Sequence, residues 1–225
     1  MRRNITYTKT ASIPEHVYQI AQERAKNQRV FSKSHRKEEA NDVGCLGEVI
    51  AEFWMQQHDI KFTPELENTT HDYRINGNIT IDVKTKDRTV KPRLDYDNSA
   101  PCYNHLHQKP DYFLFISLER NRNDKRNNIR KYHTAYIVGS ISYEELDRIG
   151  IKFLAGEIDW RNNTKFWTNC LNIEMWQLVP LVDTIKIFQG KLSAPTQSGK
   201  VNQEIVNEIK IRINSGEYQE RPLPS

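Results

Sequence analysis

The stretch from His71 to Lys86 concentrates the residues that could do chemistry. Read as a strand over Asn78 to Lys86, it sends alternate side chains to opposite faces. Ile79, Ile81, Val83 and Thr85 point one way, and Thr80, Asp82, Lys84 and Lys86 the other. The first face belongs to a core. The second sets a carboxylate and an ammonium side by side, about 7 Å apart at the backbone. Asn76-Gly77 is a strong hairpin signal. That turn returns Asp72 to a place beside the same strand, so two carboxylates share a site. Like charges at that distance repel unless a proton or a cation joins them. Oxygen ligands at high charge density suit Mg²⁺ or Mn²⁺. Such an ion lowers the pKa of a bound water and polarises a phosphoryl oxygen. A neighbouring Lys can orient the water or neutralise charge in the transition state.

The elements around this stretch must position it. A helix is expected from about Asp42 to Gln57, with Asp42 as N-cap and Val43, Leu46, Val49, Ile50, Phe53 and Trp54 on its apolar face. Gly44 and Gly47 are poor helix formers, which predicts close packing against a neighbour. The helix carries Glu48, and Glu52 one turn later on the same face, able to replace or assist it. Strands are expected over Ile60 to Phe62, His71 to Ile75, Asn78 to Lys86, Tyr132 to Val138 and Ile173 to Val179. Tyr112 to Leu118 is a continuous apolar run, the pattern of a strand buried on both faces. Ile13-Pro14 opens a first helix. Ser142 and Glu145 form a capping-box pattern for a short helix ending at Ile149, and Val201 to Ile213 reads as an amphipathic helix. Asp87 to Lys109 is long and irregular, as functional loops often are.

The chain has 225 residues, enough for one domain with elaborations. Its 10 Tyr, 8 Phe and 4 Trp can anchor a core, which argues against full disorder. Net charge is +4, mildly basic, so the distribution of charge says more than its sum. Cys45, Cys102 and Cys170 are far apart and read as reduced thiols. No apolar run is long enough to span a bilayer, and Met1 to Thr10 lacks the apolar core of a signal peptide. The expected location is the cytoplasm, that of the host cell if a phage encodes the chain. The size and the Asn- and Lys-rich composition would suit a phage or mobile element. Ser198-Gly199-Lys200 lacks the upstream glycine of a P-loop, so an ATP-driven activity is not supported.

The ordered set of helix glutamate Glu48, hairpin Asp72, strand Asp82-Val83-Lys84 and the buried strand at Tyr112 resembles the PD-(D/E)xK nuclease superfamily. That resemblance covers roughly Asp42 to Val138. His71 stands where the motif name has Pro, a position at which members vary. The resemblance implies an α/β fold, a central mixed β-sheet flanked by helices with a restriction-endonuclease-like core. It implies that Asp72 and Asp82 bind one or two Mg²⁺ (or Mn²⁺), that Glu48 completes the shell with Val83 between the motif residues, and that Lys84 positions the attacking water. The implied activity is hydrolysis of phosphodiester bonds in DNA, with endonuclease action favoured. Many such proteins work as homodimers, because two strands need two cuts, and nothing in the sequence marks a dimer face. The alternative is a nucleic-acid- or protein-binding module that keeps this scaffold without turnover. The chain then divides into 1–41 (N-terminal helix and basic segment), 42–189 (nuclease core with C-terminal elaboration) and 190–225 (polar helix and tail).

Further residues carry weaker signals. Arg88, Lys91 and Arg93 lie just beyond the site and, with Lys86, Arg36 and Lys37, are candidates for nucleic-acid contact, which gives affinity without sequence choice. The second basic run, Arg120 to Lys131, reads more readily as a solvated loop. Cys102, His105 and His107 have zinc-compatible spacing but no evident fourth ligand. His71 either touches the metal or is a polar neighbour. Trp160, Trp167 and Trp176 are expected to pack a C-terminal subdomain.

Overall fold

The structure is a computed structural model and describes residues 8–10, 12–27, 37–68, 70–101, 109–124, 126 and 128–220. Its elements in chain order are β1 (Thr8–Thr10), α1 (Glu15–Asn27), α2 (Lys37–Gln57), β2 (Phe62–Pro64), β3 (Tyr73–Ile75), β4 (Ile79–Arg88), β5 (Asp97–Pro101) and β6 (Tyr112–Arg120). There follow β7 (Tyr132–Ser142), α3 (Tyr143–Ile149), β8 (Ile151–Phe153), β9 (Ile158–Asp159), β10 (Thr164–Lys165), β11 (Cys170–Glu174), α4 (Leu181–Phe188) and α5 (Gln203–Asn214).

The fold is α/β, with a mixed central sheet flanked by helices. Among the described residues that sheet has six strands in the order β1-β7-β6-β4-β3-β2. β4 and β6 run parallel, Asp82 opposite Phe113 and Lys84 opposite Phe115, and the other neighbours are antiparallel. The expected hairpin joins β3 to β4. Asn76 and Gly77 both take positive φ, 49° and 78°, as a tight turn between twisted strands requires. The Asn78 N–H closes the turn on the Ile75 carbonyl at 3.1 Å.

The alternation of β4 divides two cores. Ile81 and Val83 join Leu114, Ile116 and Ile137 beneath α1 and α2. On the opposite face, Phe113, Phe115 and Val138 pack against Leu146 and Ile149 of α3 and Leu171 and Ile173 of β11. There a three-stranded sheet, β5-β11-β8, covers the face that carries Asp82, Lys84 and Lys86. A third cluster seats Ile205, Val206 and Ile209 of α5 on Ile151 and Phe153.

Several sequence expectations need correction. α2 begins at Lys37, not Asp42, because Lys37-Glu38-Glu39-Ala40 are good helix formers. Close packing holds for Gly47, where a Cβ would lie 1.9 Å from Thr85 Oγ1, and fails for Gly44, which has no atom within 4 Å of that position. β2 starts at Phe62 and β3 at Tyr73, so Asp72 precedes its strand. The irregular stretch from Asp87 contains β5, whose polar sequence hides its pairing. Ser99 Oγ donates to Asn172 Oδ1 at 2.6 Å, and Asn172 Nδ2 donates to Asp97 Oδ2 at 3.1 Å. The strand expected at Ile173 to Val179 is β11, ending at Glu174, where a 3₁₀ turn over Met175–Gln177 follows. Trp176 is buried in the second core and Trp160 lies at a tilt beside Phe153, whereas Trp167 is 62 % exposed. No described helix is long and apolar enough to cross a membrane.

Candidate active site

The site lies at the start of β3, where β4 runs past it with β6 as its remaining neighbour. The Asp72 backbone N–H donates to the Ile81 carbonyl at 2.9 Å, and its side-chain Oδ2 accepts from the Val83 N–H at 2.7 Å. Both contacts tie Asp72 to the strand of Asp82. Asp82 is 3 % exposed, and the Lys84 ammonium lies 2.5 Å from its Oδ2. α2 brings Glu48 to the same place, since Gly47 lets the helix rest on Thr85. The residues Glu48, Asp72, Asp82 and Lys84, named from the sequence, are therefore brought together. Val83 has its side chain in the core and its N–H on Asp72. Strand alternation places its carbonyl on that same edge.

The electrostatics are those of crowded, buried anions. Burial pushes the Asp72 carboxyl well above the usual carboxylate range, the charges of Asp82 and Glu48 push it further, and Lys84 and the Val83 N–H oppose them. Glu48 is raised as well, by burial first, with Asp82 and Glu52 adding to it and Arg24 opposing. Among the described residues, Glu48 Oε2 and Asp82 Oδ2 are buried without a hydrogen-bond partner; what faces them are the charges of Arg24, at 3.6 Å, and Lys84.

An all-carboxylate set with buried, incompletely satisfied oxygens fits a hard divalent cation in kind. Among the described residues, no three His, Cys, Asp or Glu side chains converge tightly enough to ligate one ion as they stand. Asp72 is turned to the Val83 N–H and Glu48 toward Arg24. Joint ligation therefore requires side-chain rotation.

Sequence reasoning missed Arg24 and Tyr73. Arg24 reaches from α1 to Glu52 at 2.8 Å, to Glu48 at 3.6 Å and to Tyr73 Oη at 3.3 Å. Tyr73 Oη lies 2.8 Å from Glu52 Oε1. Glu52 is thus held by Arg24 and Tyr73, and its contact with Glu48 runs through the same guanidinium. The available signal was a lone Arg on the α1 face that also carries Val17 and Ala21, where an apolar residue would be ordinary.

The remaining candidates are placed as follows. His71 Nε2 lies 2.7 Å from Glu65 Oε2 and its Nδ1 2.7 Å from Thr70 Oγ1. Arg74 completes that cluster at 2.7 Å and, with His71, lowers the Glu65 carboxyl to about 2. Lys86 and Arg88 turn inward, Lys86 Nζ to the Asp97 carbonyl and carboxylate at 3.0 and 3.2 Å, and Arg88 to Ser117 Oγ and the Asp97 carbonyl. Arg93 is exposed and paired with Asp95, and Lys91 is exposed. Arg120 pairs with Asp87, Arg126 with Asp124 and Arg130 with Glu15. Arg36, the side chain of Lys37, and Cys102, His105 and His107 lie outside the described residues. No protein-family model matches this chain, and no curated protein does.

Proposed function

We propose that this chain is a metal-dependent nuclease that hydrolyses phosphodiester bonds in DNA, built on a restriction-endonuclease-like core. One observation carries the reading: Glu48, Asp72 and Asp82 gather their carboxylates in a buried place, with the Lys84 ammonium against Asp82. Three carboxyls whose charged forms burial and mutual repulsion disfavour make an arrangement that a divalent cation would relieve.

Asp72 and Asp82 would hold Mg²⁺ or Mn²⁺, with Glu48 and the Val83 carbonyl completing the protein's share of the shell. When bound, the ion supplies a water of lowered pKa and charge neutralisation at the phosphoryl oxygen. The Val83 N–H fixes the orientation of Asp72. Lys84 holds its ammonium where it can orient the attacking water or meet charge on the phosphoryl oxygens. Arg24, through Glu48 and Glu52, keeps the surplus of buried negative charge in place.

Incubation of supercoiled plasmid, linear duplex and single-stranded DNA with Mg²⁺, with Mn²⁺ and with EDTA tests the proposal. Cutting in the presence of either ion and none in EDTA is the expected result. DNA binding that needs no divalent ion, with no cutting of any form, would replace this reading with that of a non-catalytic binding module.

A further inference from the structure

Beyond the carboxylates, the face of β4 continues into a cleft of about 140 Å³ lined by Lys84, Thr85, Lys86, Asn98, Ser99 and Phe115. It sits between the central sheet and β5 of the small sheet. A water takes about 30 Å³ of liquid volume, so the space admits a group the size of a phosphate.

The donors around it outnumber the acceptors. No carboxylate is among the lining residues. Lys86 is 30 % exposed and spends two contacts on Asp97, so one N–H of its ammonium is left over. Asn98 is 1 % exposed, and among the described residues its Nδ2 has no acceptor. The orientation of that amide is fixed chemically. Arg88 Nη2 points at it from 3.3 Å, a guanidinium can only donate, and the atom facing it must be Oδ1. Ser99 Oγ donates to Asn172, and Asp97 is engaged by Lys86, Asn172 and Asn162. Lys84 is met by Asp82 and Lys86 by the Asp97 carboxylate, while Arg88 Nη2 donates to the Asp97 backbone carbonyl. What remains is one N–H of the Lys86 ammonium and an amide donor that no described residue satisfies.

We propose that this cleft is an anion subsite that takes the phosphate next to the one held at Asp82 and Lys84. Asn98 and Lys86 donate to its oxygens, and Phe115 forms its apolar wall. The step from Lys84 to Lys86 is two strand residues, about 6.7 Å, comparable with the step between successive phosphates of an extended strand. The inference rests on the nuclease reading for the identity of the chain that carries the phosphate, and on the cleft alone for the anion.

The test is titration of inorganic phosphate into the full chain in EDTA, followed through the side-chain amide resonance of Asn98, with chloride at matched ionic strength as control. Asn98→Ala identifies that resonance, and calorimetry on both proteins measures affinity. A saturable shift with phosphate, and affinity roughly tenfold weaker in Asn98→Ala, are expected for loss of one charge-assisted hydrogen bond. A shift that chloride reproduces, or equal affinity in the two proteins, overturns the subsite. Should plasmid cutting persist in either of those cases, the nuclease reading stands without it. Phosphate binding without metal-dependent cutting keeps the anion site and removes the nuclease. Short oligonucleotides with and without a terminal phosphate separate the sources: preference for the phosphorylated end assigns the cleft to strand ends, and equal affinity assigns it to internal phosphodiesters, and both uphold it.

Discussion

Replacing Asp72 by Asn should stabilise the metal-free fold at neutral pH while removing the carboxylate proposed to hold the cation. The amide keeps an oxygen for the Val83 N–H, so the 2.7 Å hydrogen bond survives. What disappears is a charge held against Asp82 and Glu48. Two unit charges on neighbouring strands, about 5 Å apart, repel by roughly 3 kcal/mol at an effective dielectric of about 20. Lys84 offsets part of this, leaving a gain of about 1–2 kcal/mol, within the range usual for relief of a functional site. In a chain of this size that is roughly 2–8 °C in Tm. The pH dependence supplies the control. A carboxyl whose folded pKa is raised makes the native state bind more protons than the unfolded state above the ordinary carboxylate range. Stability from this group is therefore present at low pH and falls as pH rises toward its folded pKa. Thermal unfolding in EDTA at pH 4 and pH 8 should show the advantage of Asp72→Asn at pH 8 and little of it at pH 4. A variant less stable than the parent at pH 8, or equally shifted at both pH values, would mean that Asp72 carries no repulsive charge in the folded protein.

Three other changes probe the same framework. Arg24→Met leaves Glu48 and Glu52 buried without their cation and should cost about 3–5 kcal/mol, read as a lower denaturation midpoint in urea. Gly47→Ala forces a methyl against Thr85 and should cost about 1–3 kcal/mol, part of which Thr85→Ala should restore in the double variant; additive losses would place the helix elsewhere. Asp97 titrates near 2 because Lys86 and Asn172 outweigh the effect of burial. Its depressed pKa contributes about 2 kcal/mol that is present above pH 4 and lost as pH falls toward 2. Acid unfolding of Asp97→Asn should accordingly start from a lower stability and be flatter over that window.

The part of the fold that was legible in sequence is the part governed by local rules. Asn76-Gly77 dictated a turn with two positive φ values, and the turn dictated that Asp72 return beside Asp82. The apolar run from Tyr112 marked a strand sandwiched between two cores, Leu114 toward α2 and Phe115 toward the small sheet. β5 was illegible because its Asp97-Asn98-Ser99 pairing depends on Asn172, more than seventy residues away, and no periodicity advertises it. For the same reason Lys86 and Arg88 read as surface cations, although Asp97 draws both inward. Arg24 was missed because its partners lie on a different helix, and a single Arg on an amphipathic face carries no pattern.

Asp82 and its neighbours are proposed to cut a phosphodiester with a divalent cation. The most direct measurement is the single-turnover rate of plasmid cleavage in Mg²⁺ for the parent and for Asp82→Asn, with circular dichroism recorded on both. Metal-dependent cutting by the parent and a loss of about 100-fold or more in the variant are expected for removal of a proposed metal ligand, with an unchanged spectrum. Cleavage by Asp82→Asn at the parental rate would contradict this role for Asp82.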